Sequence, residues 1–246
     1  MSAAAIAALI DAIGHTSFAT CFLALAEQAV VHDAAALMRF ADGAPPEVLA
    51  DRLKPAERAA MYGDYLKGVY LLSPFYRASL GLKGPRVARV KDVAPDGFSA
   101  SEYHRRYFSQ IGVSDMLGLL LPEEHGTLFL SLSRATGEPR FSAADAAALT
   151  RLMAVFASAA QRHAGLAGPL HAVMPQPKPA PRKASQLTAR EAEVVNLMLE
   201  GHSAKALAQR LRISVETVRV HRKHIYAKLA VSSQAELFHW FLSSRA

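Results

Sequence analysis

The sequence predicts an α+β front domain, residues 1–167, joined by a spacer to an all-α C-terminal domain of four short helices, residues 187–246. Three observations predict it. Period-two apolar runs alternate with period-3.6 stretches over the first two thirds of the chain. The segment GPLHAVMPQPKPAPRKASQ, residues 168–186, holds five prolines and three basic residues without apolar periodicity, the composition of an extended, semi-rigid linker. After it, hydroxyl-bearing cap residues stand ahead of four amphipathic stretches and no strand pattern recurs.

In chain order, helical patterns cover Ala3–Ile13, Ser17–Val30, Pro55–Leu72, Ser101–Ile111 and Ser142–His163. Strand patterns cover Ala35–Phe40, Pro46–Leu49, Arg86–Val90, Ser114–Leu121 and Thr127–Ser133. The clearest hairpin is GLLLPEEHGTLFLSLS, turning through Pro122 to Gly126. Helices flanking an antiparallel sheet follow as the expected front-domain architecture.

In the C-terminal domain, Thr188 with Glu191 three residues later is a capping box, so a helix starts at Ala189, with Val194, Val195 and Met198 as its stripe and Gly201 to end it. Ser203 caps a second helix carrying Ala204, Leu207, Ala208 and Leu211. Arg212, Ile213 and Ser214 make a tight turn, and a third helix runs from Val215 to Leu229. On that helix Val218, Ile225 and Leu229 share a narrow arc facing the core, with Arg219, Val220, Lys223 and Ala227 opposite. Two long cations one turn apart beside small apolar side chains suit a helix laid in the DNA major groove, where cations meet guanine acceptors and small groups meet thymine methyls. A solvated charged face is the ordinary alternative for such residues; the two correctly spaced helices ahead of it weigh against that. A second capping box, Ser233 to Glu236, opens a fourth helix carrying Leu237, Phe238, Trp240 and Phe241, more aromatic surface than so small a domain buries by itself.

Charge separates the two parts. From Lys178 onward there are 12 Lys and Arg against 5 Asp and Glu; ahead of it the counts are 16 and 16, so the whole formal charge of +7 belongs to the C-terminal quarter. That suits attraction to a polyanion. The single Cys21 excludes an internal disulfide and a cysteine metal site, and its apolar neighbours predict a buried thiol. The His residues are scattered, and neither a metal nor a cofactor is expected. No apolar run reads as a membrane span, and the N-terminus lacks a basic start, so the expected location is cytoplasmic with no membrane partner.

Residues 187–242 resemble the LuxR-type helix-turn-helix family along their whole length, in LTAREAEV, the Gly201 and Ser203 pair, Lys205, Ala208, IS at 213–214, TVRVH at 217–221 and KL at 228–229. The resemblance implies that Arg219, Val220 and Lys223 approach base edges. It implies that Lys205, Thr217, His221 and Lys228 contact phosphates, with Arg222 flanking the face as a further phosphate contact. It also implies that the fourth helix pairs two DNA-binding domains, giving a homodimer on a two-fold site, with RNA polymerase as a candidate partner. Departures are Ala206, where the family often has Glu, and Ser232 and Ser233, where it often has Asn and Arg. The run EPRFSAADAAALTRLMAVFASAA more loosely resembles the end of a GAF-like domain, as found ahead of LuxR-type domains.

A GAF/PAS-like front domain implies a small-molecule effector. Aromatics gather at Tyr62–Tyr76 and Tyr103–Phe108, and a pocket wants apolar walls with a few polar groups, which makes Tyr65, Tyr70, Phe75, Tyr76, Tyr103 and Tyr107 the candidate ligand residues. Aromatics at helical spacing are more often plain core. Members that bind acyl-homoserine lactones carry a Trp, a Tyr and an Asp-Pro; here Ser73 precedes Pro74 and the only Trp is Trp240, so a lactone is not expected. Nothing resembles a phosphorelay receiver. An enzyme is the reading from another class, and the sequence has no nucleophile elbow, phosphate loop or paired carboxylates to favour it. The alternative within the regulator reading is a ligand-free front module for dimerisation or partner binding.

Overall fold

The computed structural model describes residues 2–41, 44–167 and 187–245, so the linker at 168–186 lies outside the described residues. The front domain is built on one five-stranded sheet, β1 Ala34–Ala41, β2 Glu47–Arg52, β3 Arg86–Arg89, β4 Val113–Glu123 and β5 Gly126–Ala135, in the order β2-β1-β5-β4-β3. Every neighbouring pair is antiparallel. The expected hairpin is present and longer than its apolar run: Pro122 pairs with Thr127, and Glu124 and His125 form the turn. Pairing of β3 stops at Leu120, so a residue without an amide hydrogen at 122 costs no bond to that neighbour.

The pleat sorts the core into two layers. Leu37, Leu117, Leu119, Leu121, Leu128, Leu130 and Leu132 face helices α1 Ala3–Asp11, α2 Phe18–Ala29 and α6 Ala143–Ala167. Met38, Phe40, Met116, Leu120 and Phe129 face the other way, onto an aromatic layer. Among the described residues α6 is the one helix long and apolar enough to cross a membrane by length and composition, over Ala143–Leu166 with a mean hydropathy of 1.3. Its Leu149, Leu152, Phe156, Ala159 and Ala160 are buried on the sheet, one face of a helix whose apolar window is 28% buried. Cys21, expected to be buried, is half-buried on α2.

The aromatic layer is where helical periodicity misleads. The single helix expected over Pro55–Leu72 is α3 Pro55–Ala60, a π-helical turn Met61–Tyr65 and a 3-10 turn Val69–Leu72. The break falls at Gly68, whose φ of 139° lies outside any helix and is open to glycine alone. The helix expected over Ser101–Ile111 is likewise a π-helical turn, His104–Phe108. Two short helices, α4 Pro74–Ser79 and α5 Val90–Val93, appear where none was expected; α4 has Pro74 in its first turn behind Ser73, whose hydroxyl accepts from the Tyr76 amide at 3.5 Å.

The C-terminal domain follows its caps. The helices are α7 Ala189–Leu199, α8 Ala204–Leu211, α9 Val215–Leu229 and α10 Gln234–Arg245. The first box closes both ways: Glu191 N donates to Thr188 Oγ1 at 3.2 Å and Thr188 N to Glu191 Oε2 at 2.7 Å. The second differs from expectation, because Glu236 N donates to Ser233 Oγ at 3.1 Å while the Glu236 carboxylate accepts from the amide and hydroxyl of Ser232, each at 2.7 Å. The return bond has moved one residue upstream.

Candidate nucleic-acid interface

Ser203 and Ser214 set the angle between the second and third helices. Each accepts from an amide three residues on, Ala206 at 3.2 Å and Thr217 at 3.0 Å. Between them Arg212 takes the left-handed conformation, φ 53°, which folds α8 back onto α9 within a three-residue turn. α9 is then held by one stripe: Val218, Ile225 and Leu229 are almost fully buried with Val194, Val195, Met198, Leu207 and Leu211.

The opposite face of α9 is open. Arg219 is 68% exposed in its side chain and touches Glu216 through a 2.8 Å bond; Val220 is 47% exposed; Lys223 and Ala227 are exposed beside them. Arg219, Val220 and Lys223, the sequence candidates for base contact, therefore share one solvent-facing surface. Lys205 at the start of α8 and Thr217 in the first turn of α9 are exposed, and His221 is half-buried. The remaining two phosphate candidates are engaged within the protein. Lys228 Nζ donates to the buried Glu191 carboxylate at 2.6 Å, tying α9 to α7. That bond, with the Thr188 amide behind it, pulls the Glu191 pKa down to about 2. Arg222 turns towards the front domain: it pairs with Glu102 at 3.5 Å, donates to Tyr226 Oη at 3.0 Å and lies over the Tyr226 ring.

The six aromatic candidates come together in the front domain. Tyr65, Tyr70, Phe75, Tyr76, Tyr103 and Tyr107 are all buried, on the sheet face that carries Phe40 and Phe129. Tyr65 lies 4.9 Å from Tyr107, Tyr70 5.0 Å from Tyr76 and Phe75 5.0 Å from Phe129, centroid to centroid. Burial raises the pKa of Tyr65 and Tyr103 well above the usual tyrosine value, so both phenols stay protonated at neutral pH. The free space beside Tyr107 is about 20 Å³, about that of one water.

This layer also holds the C-terminal domain. Tyr76 meets Phe238 edge to face at 6.5 Å, and Leu237, Phe238 and Trp240 of α10 are buried. Arg77 Nη1 donates to the Leu199 carbonyl at 3.1 Å, and Arg210 lies 3.5 Å from Asp96. The aromatic side of α10, expected in part for a second copy, is thus covered by the front domain of the same chain. Sequence reasoning missed Arg77, Asp96 and Glu102, since no local pattern marks a partner more than a hundred residues away.

Comparison with known proteins agrees with the geometry. The family model described as bacterial regulatory proteins, luxR family, matches residues 185–241. A protein of Aeromonas salmonicida named as an HTH-type transcriptional regulator in the exeN 3' region is 33% identical over 155 residues, 58% of this chain and 79% of that protein. The oxygen regulatory protein NreC of Staphylococcus aureus is 37% identical over 59 residues, 24% of this chain and 27% of its own length. Among solved structures, the VqsR LBD domain of Pseudomonas aeruginosa superposes with a TM-score of 0.55 at 24% identity, covering 66% of this chain and 95% of that one, a likeness of fold.

Proposed function

The chain belongs to the LuxR family of bacterial regulatory proteins, and from that premise we propose that it binds specific DNA sites as a homodimer, reading the major groove with α9 under the control of a small molecule held by the front domain. The observation that carries the DNA reading is the two-sided character of α9, with Val218, Ile225 and Leu229 buried and Arg219, Val220 and Lys223 presented together to solvent. In this arrangement Arg219 and Lys223 reach guanine acceptors and Val220 meets a thymine methyl. Lys205, Thr217 and His221 set the register on phosphates, and Lys228 and Arg222 join them once their bonds to Glu191 and Glu102 give way. The protein acts in the cytoplasm, where its DNA is, and not as an enzyme.

Dimerisation is supported by Ile10 and Leu166, which stand 55% and 72% exposed on α1 and α6, two helices packed against each other. A second copy covering them would bring two α9 helices to one two-fold site. The ligand control rests on the α+β fold shared with the VqsR LBD domain. On this reading the six aromatic candidates carry the effector's influence to α10 through Tyr76, which already meets Phe238.

Selection from randomised duplex DNA with the full chain tests the reading. The expected product is a two-fold symmetric site with half-sites about one helical turn apart, bound by a species of twice the 26.5 kDa chain mass. Binding without enrichment of any sequence would remove the regulator reading of α9.

A further inference from the structure

On the sheet face away from the aromatic layer, a cavity of about 340 Å³ opens between α2, α6 and the strand ends. Phe18, Ala19, Leu49, Leu128 and Ala160 form apolar walls, and the ring of His163 stacks on Phe18 at 3.9 Å and 7°. That volume is ligand-sized, unlike the space of about 20 Å³ beside Tyr107.

Its polar end is assembled from the sheet. Arg39 follows Leu37 on the same face of β1, where an aliphatic side chain would continue the core. Its Nε donates to Glu123 Oε2 at 2.6 Å, its Nη2 to Glu123 Oε1 at 3.4 Å and its Nη1 to Glu47 Oε2 at 3.2 Å. Three of the five guanidinium N–H groups are used, so two remain for an acceptor. The Glu123 carboxylate keeps lone pairs for a donor. Arg39, Glu47 and Glu123 sum to one negative charge, which disfavours an anion, while a cation would leave the free Arg39 hydrogens without an acceptor. His163 Nδ1 accepts from the Gly14 amide at 3.0 Å, which leaves its proton on Nε2. Burial, helped by the Arg39 charge, lowers the His163 pKa and keeps the ring neutral.

We propose that this cavity is the effector site, and that its ligand is a flat, uncharged aromatic amide of roughly a dozen non-hydrogen atoms, with its ring against the Phe18 and His163 wall, its carbonyl on Arg39 and its N–H on Glu123. The assignment rests on the ligand-controlled reading above and names its site. Phe40, next to Arg39 on β1, lies on the opposite face and meets Tyr76 at 5.3 Å, and Tyr76 meets Phe238 of α10, so β1 alone separates the cavity from the layer that packs on the DNA-binding domain.

Three isosteres test it on the full chain: 2-naphthamide, 2-naphthoate and 2-naphthamidine, which present donor and acceptor, acceptor alone and donor alone. Calorimetry is expected to give saturable binding of the amide at least about tenfold tighter than of either charged analogue, the factor that about 1.4 kcal/mol from one unmatched polar group produces. Amide chemical-shift changes are expected at Gly14–Ala19, Arg39, Glu123 and His163. Ala19→Leu, which fills the cavity, should abolish binding, and Arg39→Met should erase the preference for the amide should the first variant fail to fold. No saturable binding, equal binding of all three, or shifts confined to Tyr65, Tyr103 and Tyr107 would overturn the site. DNA affinity is measured on the same samples. Sequence-selective DNA binding that ignores a cavity-bound amide would sink the effector assignment and leave the DNA reading standing, whereas loss of DNA selectivity alone would sink the DNA reading and leave the cavity result as scored.

Discussion

Arg77 Nη1 donates to the Leu199 carbonyl at 3.1 Å, so a side chain of the front domain completes the C-terminal end of a helix in the DNA-binding domain. Helix ends leave carbonyls without intrahelical partners, and a cation there also meets the negative end of the helix dipole. Burial pulls the Arg77 pKa down to about 10, still far enough above neutrality for the guanidinium to be charged. Two residues on, Gly201 has φ 79° and lies directly under that guanidinium, where a Cβ would collide with it. Arg77→Ala is therefore expected to speed hydrogen exchange at Met198–His202 and in α10, with the β4–β5 hairpin unchanged. The same protection in Arg77→Ala as in the unsubstituted protein would mean that this bond does not hold the two domains together.

Glu191 supplies a pH dependence with a definite sign. Its folded pKa, about 2, lies below its ordinary value of 4.5, because Lys228 and the Thr188 amide favour the carboxylate. The stability it contributes is complete above pH 4.5 and is lost as pH falls from there towards about 2. Urea midpoints of the C-terminal domain should drop through that window. Glu191→Gln should lower the midpoint at neutral pH and flatten the drop, and a drop of unchanged size in the variant would assign the acid sensitivity to other carboxylates.

The end of α9 carries a correctable strain. Ala230 adopts φ 49° and ψ 45°, a left-handed conformation that costs a residue with a Cβ about 1–2 kcal/mol. Ala230→Gly removes that cost and gives back about 0.4–1 kcal/mol through the freer unfolded chain. A net gain of about 0.5–1 kcal/mol in unfolding free energy is expected. Gly201→Ala is the counterpart and should destabilise, through its φ of 79° and through contact with Arg77. A stabilising Gly201→Ala would refute both arguments.

What was legible in the sequence follows from how local each cause is. Thr188, Ser203 and Ser214 announced their helices because a cap bonds an amide three residues away. The strands were legible because alternation is a local property of the pleat. The stretch from Pro55 to Leu72 misled because its apolar spacing serves an aromatic layer that wraps the sheet, with Gly68 interrupting the helix. Arg39 was invisible because AAALMRFA is apolar on both faces, so nothing local says which face its cation takes. The docking of α10 on Tyr76 likewise depends on residues more than 150 positions apart.

The two kinds of DNA contact make separable predictions. Arg219 is exposed on the outer face of α9 and, among the described residues, pairs with Glu216, so its guanidinium is available for a guanine edge. Arg219→Ala should cost about 1–3 kcal/mol per half-site and relax selection at one base pair, measured by binding to a panel of single-substituted sites. Lys205 is exposed at the start of α8, and its proposed contact is with a phosphate, which every sequence offers. Lys205→Ala should weaken all sites alike and lower the slope of log affinity against log salt by about 1 per neutralised phosphate. Unchanged base preference in the first variant would strike Arg219 from the base contacts, and sequence-selective weakening in the second would move Lys205 from the phosphates to the bases.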